Sequence, residues 1–199
     1  KNEEKFNFKC LVVDLGSHKD WYMNGRYSSL NWNKNLLFYK DIVSLAKKNQ
    51  DILFLIKSKR YKWLEIPYFY DILDEIKVSS NIQILNDHKK WTTSNCIINV
   101  DFGIVLKRSL LGAELLVHNK PIISFDNDDS IFSAPDYGPN ILSQNFEDLE
   151  HKIAKIKLNI NEYNNSLNLT RKKLFTEFES QNFSLALQKI YNEKKDNIN

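Results

Sequence analysis

The densest set of chemistry-bearing residues lies between Asp101 and Asp126, DFGIVLKRSLLGAELLVHNKPIISFD. Lys107 and Arg108 set two cations side by side, and Ser109 follows where a helix is expected to begin. The unpaired N–H groups and positive dipole end of a helix N-terminus favour an anion, so this turn suits a phosphate. Gly112, one turn further on, lacks a Cβ and permits close approach of a ligand or of a sheet. Glu114 offers two acceptor oxygens, which suit the vicinal hydroxyls of a ribose. The plainer reading makes Ser109 only a cap, Arg108 a solvated turn residue and Glu114 an exposed helix residue, and on the residues alone it weighs equally.

Such residues need elements to position them. Lys9–Leu15, Asp51–Lys57, Ile82–Leu85, Phe102–Leu106 and Pro121–Phe125 are short aliphatic runs of the kind that form buried parallel strands. Between them, residues 36–48, Tyr68–Ile76 and Leu110–Val117 have apolar positions at helical spacing, and Lys89–Asn99 leans to helix. Ser17–Asn35 has no clear period and is expected to be a long loop. Ile141–Leu142 is a candidate last edge strand. A helix with Asn145 as cap starts at Phe146, and further helices are expected over Ser166–Phe178 and Phe183–Glu193. Alternating strand and helix predicts an α/β fold: a doubly wound, Rossmann-like parallel sheet over residues 1–158 with a helical C-terminal extension over residues 159–199.

In such a sheet, ligands bind beyond the carboxyl ends of the strands. Those positions carry Gly16, Ser17 and His18 after the first strand, Lys57 through Arg60 after the second, Lys107, Arg108 and Ser109 after the fourth, and Asp126 after the fifth. One crevice would gather them all.

Other classes fit less well. With 28 basic and 25 acidic residues, the +3 charge demands no nucleic-acid partner. Cys10 and Cys96 sit among aliphatic residues, as buried thiols do in a reducing compartment. No apolar run approaches the length of a spanning helix, and Lys1–Lys9 is polar, so the expected location is cytoplasmic. Lys57, Lys59, Arg60, Lys62 and Lys77 leave a peripheral contact with anionic lipid at the inner face of the membrane open, with solvation the plainer reading. The chain starts without Met and close to its first strand, which suggests a piece of something longer. His18, His88, His118 and His151 lack paired metal spacing, and Asp126–Asn127–Asp128 reads as a solvated turn rather than a site for a hard cation, so no metal is expected. Trp21, Tyr22, Tyr27 and Trp32 crowd the long loop; packing suits the tryptophans, and the tyrosines stay open between packing and ligand stacking.

From Val100 to Asp126 the chain resembles the nucleotide-sugar-binding C-terminal half of GT-B glycosyltransferases, through Asp101, Ser109, Glu114, Lys120–Pro121 and Asp126. Bacterial surface-polysaccharide and CDP-glycerol-type transferases look most similar. The resemblance extends more loosely over Lys9–Ile156. It implies a nucleotide-activated sugar or glycerol donor, a glycan acceptor and no cofactor. Lys57 and Ser109 would contact donor phosphate, and Glu114 the ribose or donor sugar. The chain departs from the family pattern at Lys57–Ser58–Lys59 and at Arg108–Ser109–Leu110. In these enzymes the acceptor-binding half usually supplies the general base; it precedes the donor half, and nothing here matches it. A non-catalytic α/β binding or regulatory module with a vestigial nucleotide site is the alternative.

Overall fold

The computed structural model describes residues 5–15, 32–58, 61–87, 89–107, 109–126 and 137–180. Its elements alternate as the sequence predicts: β1 (Phe8–Val13), α1 (Trp32–Lys48), β2 (Ile52–Lys57), α2 (Tyr70–Val78), β3 (Ile82–Ile84), α3 (Thr93–Ile98), β4 (Phe102–Leu106), α4 (Leu110–Val117), β5 (Ile122–Phe125) and β6 (Leu142–Ser143). Helices α5 (Phe146–Leu158), α6 (Ile160–Ser166) and α7 (Asn168–Ser180) follow, and two 3₁₀ turns, Tyr61–Glu65 and Pro67–Phe69, link β2 to α2.

The strands form one sheet in the order β3-β2-β1-β4-β5-β6, and every pairing is parallel. This is the doubly wound, Rossmann-like architecture. Its inner strands are covered on both faces, which is why they are aliphatic throughout rather than alternating: all of β4 and β5, and residues 52–56 of β2, are buried. The edge strands β3 and β6 have only three and two residues, which limits the unpaired backbone they present.

Two glycines let α4 lie close to the sheet. A Cβ on Gly103 would come within 2.5 Å of the Leu115 Cδ1, and one on Gly112 within 3.1 Å of Val105. Gly112 therefore serves the packing of helix on sheet. At the opposite end of β4 from the helix N-terminus, the Lys9 N–H donates to the Asp101 carboxylate at 2.7 Å and the Asp101 N–H donates to the Lys9 carbonyl at 2.8 Å. The Lys120 ammonium donates to the Val100 carbonyl at 2.7 Å. Asp101 and Lys120 thus fasten the amino-terminal edge of the sheet.

Three expectations need correction. Residues 32–35 belong to α1 rather than to the loop before it. The helix expected over Lys89–Asn99 is confined to Thr93–Ile98, because the Thr92 Oγ1 accepts from the Asn95 N–H at 3.2 Å and starts it there. The helix expected over Ser166–Phe178 is α7, Asn168–Ser180, and a helix that was not expected, α6, precedes it: Asn159 caps α6 by accepting from the Glu162 N–H at 3.1 Å, and Leu167, fully buried, separates the two. Residues 183–193, expected to be helical, lie outside the described residues. Arg171 ties α7 to the body by donating from Nε to the Leu116 carbonyl at 3.1 Å.

Candidate functional site

The strand order runs outward from β1 to β3 on one side and from β4 to β6 on the other, so the winding reverses between β1 and β4. Open α/β sheets carry their ligands at this point, beyond the carboxyl ends of the strands. Asp14 follows β1 there, Lys57 and Ser58 close β2, Lys107 and Ser109 follow β4, and Asp126 follows β5.

On the β1 side the structure assembles a buried polar network that sequence reasoning missed. The Asp14 carboxylate, 3% exposed, accepts from the Tyr39 hydroxyl and the Ser58 Oγ, each at 2.6 Å and each to Oδ2. The Trp63 Nε1–H donates to the Ser58 Oγ at 3.0 Å, and Trp63 stacks on Tyr39 with ring centroids 4.5 Å apart. Burial, reinforced by the neighbouring Asp14 charge, pushes the Tyr39 hydroxyl well above its ordinary pKa. The network joins the ends of β1 and β2 to α1 and to the 3₁₀ turn. A signal was present: Asp14 and Ser58 are polar residues at the carboxyl ends of two parallel strands, and Tyr39 lies on the apolar stripe of α1. Lys57 pairs in register with Val13, is half-buried, and holds its ammonium 5.8 Å from the centre of the Tyr61 ring.

On the β4 side Lys107 has φ 59°, a left-handed conformation uncommon for a residue other than glycine. Its N–H donates to the Phe125 carbonyl at 2.9 Å, and its own carbonyl accepts from the Ser124 Oγ at 3.0 Å. The side chain turns inward, 0% exposed, and pairs with Asp126 at 3.4 Å. Burial draws the Lys107 pKa down, with the Asp126 charge opposing that shift. This differs from the expectation of a cation presented to a ligand: as placed, the Lys107 ammonium faces Asp126.

Ser109 stands at the N-cap position of α4 in an extended conformation, φ −135° and ψ 136°, and its hydroxyl makes no capping hydrogen bond. Its carbonyl accepts the Ala113 N–H at 3.0 Å, which begins the helix. Glu114 is exposed on α4, one turn from the N-terminus. His118 caps the other end of α4, and His151 is exposed on α5. Gly16, Ser17, His18 and Arg108 lie outside the described residues, as do Trp21, Tyr22, Tyr27, Asn127 and Asp128. Lys57, Lys107 and Ser109 are thus gathered at one edge of the sheet, with Glu114 on the helix that rises from it. Among the described residues no three His, Cys, Asp or Glu side chains cluster as a metal site would need.

The α4 N-terminus, with a Ser109 hydroxyl that makes no capping bond, stands at the carboxyl end of β4 and Lys57 at that of β2, and these are groups whose chemistry suits an anion. No protein-family model matches the chain, and no curated protein matches it in sequence. Among solved structures it is similar to the catalytic domain of the cholesterol-alpha-glucosyltransferase from Helicobacter pylori, with a TM-score of 0.52 and 18% sequence identity over 85% of this chain and 98% of that one. The likeness is one of fold.

Proposed function

We propose that the chain is the donor-binding half of a GT-B-type transferase, taking a nucleotide-activated sugar or a CDP-glycerol-type donor for transfer to a glycan in bacterial surface-glycan assembly. The observation that carries this reading is the reversal of strand order between β1 and β4, with the Ser109 hydroxyl and the α4 N-terminus on one side and Lys57 on the other. A fold shared with a glycosyltransferase catalytic domain supports it, as does the resemblance carried by residues 100–126. Residues 1–158 would form the donor-binding domain and residues 159–199 a helical extension packed on it. A separate acceptor-binding domain would complete the enzyme and supply the general base.

In this scheme Lys57, Arg108, Ser109 and the helix N-terminus hold the diphosphate and stabilise charge on the leaving nucleotide. Glu114 accepts from donor hydroxyls. Gly16, Ser17 and His18 line the β1 side. Lys107 acts through the turn it shapes unless its pair with Asp126 opens. The scheme calls on no metal or cofactor.

The enclosure of Lys107 favours a second reading, a binding module that keeps the fold and a vestigial nucleotide site. Thermal unfolding with millimolar UDP, GDP, CDP and CMP tests both. A rise in melting temperature that Arg108→Ala and Glu114→Ala diminish supports donor binding; no shift with any of the four sinks it. A shift without transfer by the full-length protein would favour the module.

A further inference from the structure

Helices α5 and α6 meet at Asn159 and, with the Pro139–Asn140 segment, line a cleft of about 390 Å³. That volume lies within the roughly 300–1,000 Å³ of small-molecule sites. Both helices are fastened in place. Lys157 pairs with Asp51 at 2.8 Å and Lys48 with Glu150 at 2.6 Å, which hold α5 to the body of the fold. The Tyr163 hydroxyl donates to the Asn140 carbonyl at 2.6 Å, which joins α6 to the segment before β6.

Lys152 is the most informative residue of the lining. It is 7% exposed, yet its ammonium has one acceptor among the described residues, the Asp148 Oδ2 at 2.5 Å. A buried donor left without an acceptor is costly, and of the three N–H donors of a lysine this leaves two for a group that enters the cleft. The other Asp148 oxygen accepts no hydrogen bond from a described residue. Glu162 accepts the Asn159 side-chain amide at 3.3 Å through Oε2 alone, and the exposed Lys155 ammonium has no partner among the described residues.

The ligand class follows from this mixture. Lys152 and Lys155 balance Asp148 and Glu162, with His151 the other ionisable group of the lining, so the cleft does not select an ion. A zwitterion would have to part Lys152 from Asp148. A hydroxyl need not, because it can accept from an open Lys152 N–H and donate to the open Asp148 oxygen while the pair stays whole. Glu162 and Lys155 supply a second acceptor and a second donor. In the same cleft Pro139 and Leu158, the latter 87% exposed, present apolar surface that suits the C–H face of a sugar ring.

We infer that the cleft between α5 and α6 binds a neutral saccharide unit, with sugar hydroxyls bridging Lys152 and Asp148. Its lining includes none of Lys57, Ser109 and Glu114, so the site is separate from the proposed donor edge and does not depend on that chemistry.

Saturation-transfer NMR of the full chain with glucose, galactose and N-acetylglucosamine tests this, with titration giving the dissociation constant. At least one of these sugars is expected to bind. Glu162→Gln and Lys155→Met, both at exposed residues, should unfold at the wild-type temperature and raise the constant about tenfold each, the scale of one hydrogen bond to a charged group. Asp148→Asn should raise it as well; if that variant is unstable, the two exposed ones decide. Glu114→Ala should leave sugar binding unchanged. No binding of any of the sugars, binding indifferent to both exposed variants, or binding lost with Glu114→Ala overturns the assignment. Binding of phosphate or alanine with the same residue dependence, and of no sugar, also overturns it, in favour of an ionic ligand.

Discussion

Lys107 and Asp126 meet at 3.4 Å across the ends of β4 and β5, with the lysine side chain wholly enclosed. The lysine reaches this position only because its backbone takes the left-handed turn at φ 59° that sends the chain toward Ser109. A buried pair and a strained turn therefore coincide at the carboxyl ends of β4 and β5, where backbone strain is commonly stored when such an edge is functional. Removing one partner leaves the other charge buried without its neighbour. Lys107→Met is expected to destabilise the protein by about 3–5 kcal/mol in denaturant unfolding. Lys107→Met/Asp126→Asn should recover part of that loss; an undiminished loss in the double variant would show that the turn, not the charge, sets the cost.

The Asp14 network makes a prediction that depends on pH. Tyr39→Phe removes a hydrogen bond to a buried carboxylate and should cost about 2 kcal/mol at neutral pH. The folded state holds the Tyr39 proton more tightly than the unfolded chain does, so the stabilisation is complete below about pH 10 and is lost as pH rises beyond it. The gap between wild type and Tyr39→Phe should close above that pH. Tyr61 and Tyr163, whose hydroxyls burial also raises, remain in both proteins and affect both curves alike.

The sheet was legible from the sequence because its strands are buried on both faces, which leaves continuous aliphatic runs such as Phe102–Leu106 and Ile52–Ile56. Strand order was not, since nothing local states that β1 lies between β2 and β4. The helix boundaries that slipped did so for chemical reasons: Thr92 reads as an interruption of a helix until its Oγ1 is seen capping one, and Leu167 reads as helical until it is seen separating two. The network around Asp14 escaped because its members, Asp14, Tyr39, Ser58 and Trp63, come from four elements. Lys107 escaped because its residue type favours solvent and only the left-handed turn sends it inward.

Close packing of α4 on β4 can be tested at Gly103. A methyl group there would meet the Leu115 side chain at 2.5 Å in a fully buried site, so Gly103→Ala should cost about 1–3 kcal/mol. Shortening the neighbour relieves the clash. In a Leu115→Ala background, itself less stable, the added cost of Gly103→Ala should largely vanish, and a double-mutant cycle reads that coupling. Additive losses would mean that Gly103 serves some need other than room for Leu115.

Both cysteines are enclosed, and burial raises the Cys10 thiol well above its ordinary pKa. Native protein should therefore leave both thiols unmodified by an aromatic disulfide reagent over the pH range where exposed cysteines react, and denatured protein should titrate as two. Reaction of Cys10 in the native state would place β1 in a more open position than the sheet gives it.

Ser109 offers the sharpest separation between a structural and a binding role. Replacing a capping serine by alanine ordinarily costs about 1 kcal/mol, because the hydroxyl satisfies a first-turn N–H. Here the Ser109 hydroxyl makes no such bond, so Ser109→Ala should change stability by less than about 0.5 kcal/mol. If the hydroxyl is instead held ready for a donor phosphate, the same substitution should lower nucleotide affinity about tenfold, the scale of one hydrogen bond to a charged group. Isothermal titration with the best of the four nucleotides reads the affinity, and thermal unfolding without ligand reads the stability. A variant that loses stability but binds nucleotide as before would return Ser109 to the role of a helix cap and remove it from the site.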